Sequence, residues 1–168
     1  MDIRPTCAGI EGGRWGDTRG PNNEQFHGGL DLDADKGTEL FAMEGGEVVQ
    51  VDFLDDFGNY IVVQSSNKES EYFLYAHLSS TAVKEDGIVS QGDKLGETGE
   101  SGNAQEADCN PEHLHLEVRE GDGTDNGWVK DLGGETVDPE EHIGTSFNEE
   151  GKATNDLCSP VFKRGLNI

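Results

Sequence analysis

His113 and His115 stand two residues apart in the run Glu112-His113-Leu114-His115-Leu116-Glu117-Val118, which alternates polar and apolar side chains. On a β-strand, successive side chains point to opposite faces. His113, His115 and Glu117 then share one face, and Leu114, Leu116 and Val118 the other. Two imidazoles on one face of a stiff strand suit a metal ion, because neutral imidazole is a common zinc ligand. A second group lies far upstream in Phe26-His27-Gly28-Gly29-Leu30-Asp31-Leu32. The spacing of His27 and Asp31 would fit one helix face, but Gly28 and Gly29 argue against a helix. A glycine turn leading into a strand can bring both to one ion. His27, Asp31 and one histidine of the pair would supply N, O and N ligands. The fourth tetrahedral position would stay open for water, the arrangement of a catalytic zinc site.

These side chains need a scaffold of strands. Glycine accounts for 24 of the 168 residues, without a short period, and the glycines fall between short apolar runs. That pattern predicts an all-β domain with many tight turns and little helix. Strands are expected over residues 37–43, 47–51, 59–64 and 71–78, with His77 near the end of the last, and a shorter one from residue 94. The polar stretch 100–111 feeds the His113 strand and is long enough to wall a cleft. Asp138-Pro139-Glu140-Glu141 carries a helix-start signature, with Asp at the cap and Pro in the first turn. The expected organisation is an irregular segment over 1–25, with Trp15 and Phe26 as its apolar anchors, a core over 26–143, and a tail over 144–168 that packs back. There is no internal repeat and no sign of a second domain.

Composition narrows the partners. With 12 Lys+Arg against 35 Asp+Glu, the formal net charge is -23. Such a chain is repelled by nucleic-acid phosphates and by anionic membranes, so neither is an expected partner. No stretch approaches the roughly 20 apolar residues of a membrane span. Residues 1–5 lack the apolar run of a signal peptide, so export would use a segment outside this sequence or another route. Three cysteines leave at least one unpaired within the chain. Cys7 and Cys158 lie near the two ends, and a bridge between them would staple the termini. Cys109, four residues before His113, is not needed as a metal ligand.

The order of motifs is what gives them weight: His27-x-x-x-Asp31, a Gly-Thr turn before Phe41-Ala42, Tyr75-Ala76-His77-Leu78, a Gly-Asp turn, then His113-Leu114-His115. This order resembles the lysostaphin-type (LytM-type) zinc metallopeptidases, which cleave peptide bonds in bacterial cell-wall peptidoglycan, from about residue 14 to residue 142. The resemblance implies an antiparallel β-sandwich-like fold with a central groove. It implies one Zn2+ per chain on His27, Asp31 and His115, and catalytic work for His77 and His113. It also implies an extracytoplasmic monomer whose partners are peptidoglycan peptides. His113 would handle the proton of the attacking water, and His77 would donate to the developing oxyanion. Glu117 could orient a ligand imidazole.

Blander readings attach to other residues. Tyr72, Phe73 and Tyr75 could stack on substrate, but alternating strand aromatics are more often core. His142 reads as an ordinary polar histidine. Asn22 or Asn23 could fill the fourth zinc position, as an asparagine does in latent relatives. Two further functions compete with hydrolysis. One is a non-catalytic zinc-binding module or regulator of another wall hydrolase; the other is a secreted signalling protein on the same fold. Such relatives lack zinc ligands or a catalytic histidine, whereas all five positions are filled here.

Overall fold

Strand β11 (His113–Glu120) is the centre of the molecule. The computed structural model describes residues 2–7, 9–121 and 134–154. In chain order the other strands are β1 (Gly16–Arg19), β2 (Gln25–His27), β3 (Leu30–Asp33), β4 (Glu39–Phe41), β5 (Gly46–Leu54), β6 (Gly58–Ser65) and β7 (Glu71–Leu78). They continue with β8 (Ser80–Thr81), β9 (Ile88–Val89), β10 (Lys94–Glu97) and, after β11, β12 (Glu135–Val137). Helix among the described residues is limited to three 3₁₀ turns, Glu11–Gly13, Gly102–Glu106 and Pro139–Glu141. The antiparallel all-β expectation is met. The helix signature at Asp138 yields only the last of these turns, with the Asp138 carboxylate accepting from Glu140 N at 2.9 Å.

The main sheet runs β12-β11-β7-β6-β5-β9, and β3 joins the same edge of β11 as β12. β3 pairs with the first half of β11 and β12 with the second. A smaller sheet, β4-β10-β8, covers one face. Alternation decides what meets it: Leu114, Leu116 and Val118 of β11, Phe73 and Tyr75 of β7, and Ile61 and Val63 of β6 pack with Leu40, Ala42 and Leu95. Burying each of the larger apolar side chains contributes roughly 1.5–3 kcal/mol. The aromatics of β7 are accordingly structural: Tyr75 is fully buried, and its hydroxyl accepts from Met43 N at 3.1 Å. The opposite face of the main sheet carries a smaller apolar group, Tyr60, Val62, Tyr72, Leu74 and Ala76. Beside it stand the polar residues of β11.

The N-terminal segment is built in more deeply than its polar sequence implies. Ile3 bridges to Leu32 and is 1% exposed, whereas Phe26, an expected anchor, is 56% exposed. Phe26 instead meets Trp15 edge-to-face at 5.4 Å. The cysteine expectation is corrected: Cys7 bonds to Cys109 across a sequence separation of 102, and Cys158 lies outside the described residues. This disulfide ties the segment to the loop that enters β11. Of the tail, residues 144–154 pack back, with Ile3 N donating to Gly151 O at 2.8 Å; residues 155–168 lie outside the described part.

Candidate metal and catalytic site

The register of β3 against β11 places Asp31 directly opposite His115. His27 arrives from β2, which pairs with β1 at Gly16. Between β2 and β3 the chain must pass close over the His115 ring. A Cβ on Gly29 would lie 2.5 Å from Leu116 O and 2.8 Å from His115 Nε2, so only glycine fits. The spacing of His27 and Asp31 is therefore set by a turn, not by a helix.

His27 Nε2, Asp31 Oδ1 and His115 Nδ1 form a triangle. Its edges are 3.2 Å between the two nitrogens, 2.9 Å from His115 to Asp31 and 3.3 Å from His27 to Asp31. A tetrahedron with zinc–ligand bonds of roughly 2.0–2.1 Å has edges of about 3.3 Å, so this donor set fits a zinc-sized ion. The remaining atoms of each ligand are held from behind. His27 Nδ1 donates to Arg14 O at 2.7 Å, and His115 Nε2 donates to Glu117 Oε1 at 3.1 Å. Glu117 in turn accepts from Arg119 Nε at 2.7 Å. These bonds fix which nitrogen of each ring would face an ion. Asp31 Oδ2 accepts from Arg19 Nη2 at 2.7 Å and from Arg4 Nη1 at 3.3 Å, while Oδ1 faces the two ring nitrogens and could serve an ion.

Four of these supporting residues were not foreseen, among them Arg119, which follows Glu117 on the same face of β11. Arg4, Arg14 and Arg19 sit in a segment that reads as loop, and no sequence signal marks them apart from being arginines in so acidic a chain. Glu117 is 4% exposed and bonded to His115, so its alternation with His115 on β11 was the useful signal.

His113 and His77 complete the cluster. Their ring centroids lie 4.7 Å apart, and His113 Nε2 is 3.6 Å from Asp31 Oδ1. Strict alternation along β7 would turn His77 into the core with Phe73 and Tyr75. A register shift between Asn59 and Ile61 of β6 sets Ala76 and His77 together against Tyr60. His77 takes the left-handed conformation, with φ 61°, and the bulge swings it onto the β11 histidine face. His77 Nδ1 donates to Ser101 O at 2.9 Å and His113 Nδ1 to Pro111 O at 2.8 Å. Burial pushes both down, His77 to about 3 and His113 to about 4, so both rings are neutral near pH 7. His115 behaves differently. Burial again opposes its charge, but hydrogen bonds to Asp31 and Glu117 outweigh this and raise it to about 9 in the metal-free chain.

A cleft of about 320 Å³ opens over the cluster, walled by Asn103, Ala104, Glu106 and Ala107 of the loop before β11, as its length suggested. Other candidates lie elsewhere. His142 pairs with Glu71 at 3.2 Å, Cys109 is spent in the disulfide, and Asn22 is exposed and donates to Glu24 at 3.0 Å.

The antiparallel sheet thus gathers a His-Asp-His triangle and two flanking histidines at one cleft. The chain belongs to Peptidase family M23, whose model matches residues 25–139, in agreement with the resemblance drawn from the motif order. Cell division protein DipM of Caulobacter vibrioides (strain NA1000 / CB15N) is 34% identical over 96 residues, which is 56% of this chain and 15% of DipM. The chain therefore spans only a small part of that relative's length. The catalytic domain of the antimicrobial peptidase lysostaphin from Staphylococcus simulans superposes with a TM-score of 0.60 at 23% identity, over 76% of this chain and 86% of that one. A zinc containing peptidase from Vibrio cholerae gives 0.51 at 24% identity, over 70% of this chain and 32% of that one.

Proposed function

We propose that the chain is a zinc-dependent endopeptidase that hydrolyses peptide bonds of bacterial peptidoglycan outside the cytoplasm. The observation that carries this reading is the triangle of His27 Nε2, Asp31 Oδ1 and His115 Nδ1, its edges matching a zinc tetrahedron, beside two further neutral histidines. Family membership supports peptidase chemistry, and peptidoglycan as the substrate class rests on the motif resemblance. His27, Asp31 and His115 would hold the ion, which supplies Lewis acidity and a water of lowered pKa when bound.

The protein's own proton chemistry follows from its tautomers. A neutral imidazole whose Nδ1–H is engaged by a carbonyl has only an acceptor on Nε2. His113 and His77 are both in this state. In the resting site each can accept a proton from the attacking water. The imidazolium formed at His113 then returns the proton to the leaving amine. Donation from His77 to the oxyanion, the role the resemblance implies, follows only once that ring has taken up a proton.

The test is release of soluble fragments from purified peptidoglycan by the zinc-loaded chain, with His113→Ala run beside it and the fragments identified by mass spectrometry. Defined peptides from wild type alone support the reading. Stoichiometric zinc with no release from any wall type overturns it in favour of a non-catalytic module.

A further inference from the structure

The cleft has an ordered charge. Across the sheet, the spatial order is the N-terminal segment, β3, β11, β7 and the β5–β6 hairpin. The first end carries Arg4 and Arg19, both on Asp31 Oδ2. At the other end the β5–β6 turn presents Asp56 and Phe57 to the cleft, with Phe57 O accepting from His77 N at 2.8 Å. Three strand spacings, about 14 Å, separate the two ends, which is roughly four residues of extended peptide.

At the first end two guanidinium groups face one carboxylate. Arg4 is 5% exposed, and its donors go to Asn110 O, to Cys109 O at 2.6 Å and to Asp31. Arg19 differs. Its side chain is 37% exposed and lines the cleft, while Nε donates to Gly12 O at 2.9 Å and Nη2 to Asp31. Its Nη1 bonds no side chain or carbonyl among the described residues, so one edge of a rigid fork faces the cleft. Sharing Asp31 with Arg4, and with a dication when the metal is bound, leaves the Arg19 charge unmatched. A planar guanidinium so held is a receptor for a carboxylate. Asp56, at the other end of the cleft, favours placing an anion at the arginine end. The net charge of -23 does not forbid this, since fields from distant surface charges are screened beyond about 8–10 Å at physiological salt.

We propose that Arg19, backed by Arg4 and fixed by Gly12 and Asp31, binds a free carboxylate of the substrate beside the scissile bond, and so selects acidic peptides over neutral ones. This rests on the peptidase reading for the identity of the substrate, not for the binding itself. The carboxylate could be a chain terminus or a side chain, and the test separates them. A stem peptide purified from peptidoglycan is compared with its C-terminal amide and its side-chain amide. Dissociation constants are measured by calorimetry on metal-free and zinc-loaded protein, for wild type, Arg19→Gln and Arg19→Lys. In wild type, one of the two amides should bind about tenfold or more weakly than the acid, as the loss of one charge-assisted bond implies, and its position names the carboxylate. In Arg19→Gln the ratio should fall below threefold, and Arg19→Lys should restore part of it. A wild-type ratio near one, or full discrimination in Arg19→Gln, overturns the proposal; the wild-type ratio decides even where a variant folds poorly. Acid-selective binding without cleavage would sink the peptidase reading and keep this one. Cleavage without selectivity would do the reverse.

Discussion

Replacing Glu117 by Gln changes one buried atom pair and tests how the metal site is held. In the native chain His115 Nε2–H donates to Glu117 Oε1 at 3.1 Å, and Arg119 Nε donates to Oε2 at 2.7 Å. A glutamine has one oxygen and one NH₂ in place of the two oxygens. Arg119 is 5% exposed and can only donate, so it claims the oxygen. The NH₂ then points at His115 Nε2 and favours the tautomer with the proton on Nδ1, the nitrogen that faces Asp31 and His27. An ion must displace a proton from Nδ1 in either chain, but the bound ring then carries its proton on Nε2, where native Glu117 accepts it and the glutamine NH₂ cannot. Losing a charge-assisted bond of about 1.5–3 kcal/mol corresponds to roughly 10–150-fold in affinity, and outer residues of this kind are usually worth about 10–100-fold. The zinc dissociation constant, measured by competition with a chromophoric chelator at pH 7.5, should rise by about 10–100-fold in Glu117→Gln. His142→Ala, away from the cluster, serves as control. A folded Glu117→Gln protein that binds zinc within threefold of wild type would refute this account of how His115 is oriented.

Three other perturbations probe the scaffold. Gly29→Ala forces a methyl against Leu116 O and the His115 ring; it should cost roughly 1–3 kcal/mol, about 2–12 °C in Tm by calorimetry, and a wild-type Tm would contradict the packing described. Cys7→Ser opens the bridge to Cys109 and should cost about 2–4 kcal/mol in urea titrations under non-reducing conditions, whereas Cys158→Ser should leave that bridge intact on peptide mapping. The third is pH. His77 and His113 are pushed down to about 3 and about 4, so the unfolded chain takes up protons first as pH falls below about 6.5, and stability declines by up to roughly 1.4 kcal/mol per pH unit for each. His115, raised to about 9, stabilises the fold fully below about pH 6.5 and loses this as pH climbs through 9. Urea midpoints of the EDTA-treated chain should therefore peak near pH 6.5, and a steady rise from pH 5 to pH 9 would contradict these environments.

Much of the site was legible because β11 obeys strict alternation. Its period alone puts His113, His115, Glu117 and Arg119 on one face and the leucines on the other. What alternation could not decide is which histidine meets Asp31, because that depends on the register of β3, a contact between segments more than eighty residues apart. His77 was legible as a motif residue but not as a neighbour of His113. Its position depends on a bulge, which breaks the period that strand reading relies on. The N-terminal segment was the least legible part. Arg4 reaches Asp31 because Ile3 is buried beside Leu32 and Cys7 is tied to Cys109, and neither contact leaves a periodic trace in a short polar stretch.

The central claim is a division of labour on β11: His115 holds the ion and His113 moves the proton. Zinc content and peptidoglycan hydrolysis measured together on His113→Ala and His115→Ala test it most directly. The account predicts one zinc per chain and no hydrolysis for His113→Ala, and loss of both for His115→Ala. Loss of zinc in His113→Ala with zinc retained in His115→Ala would contradict it.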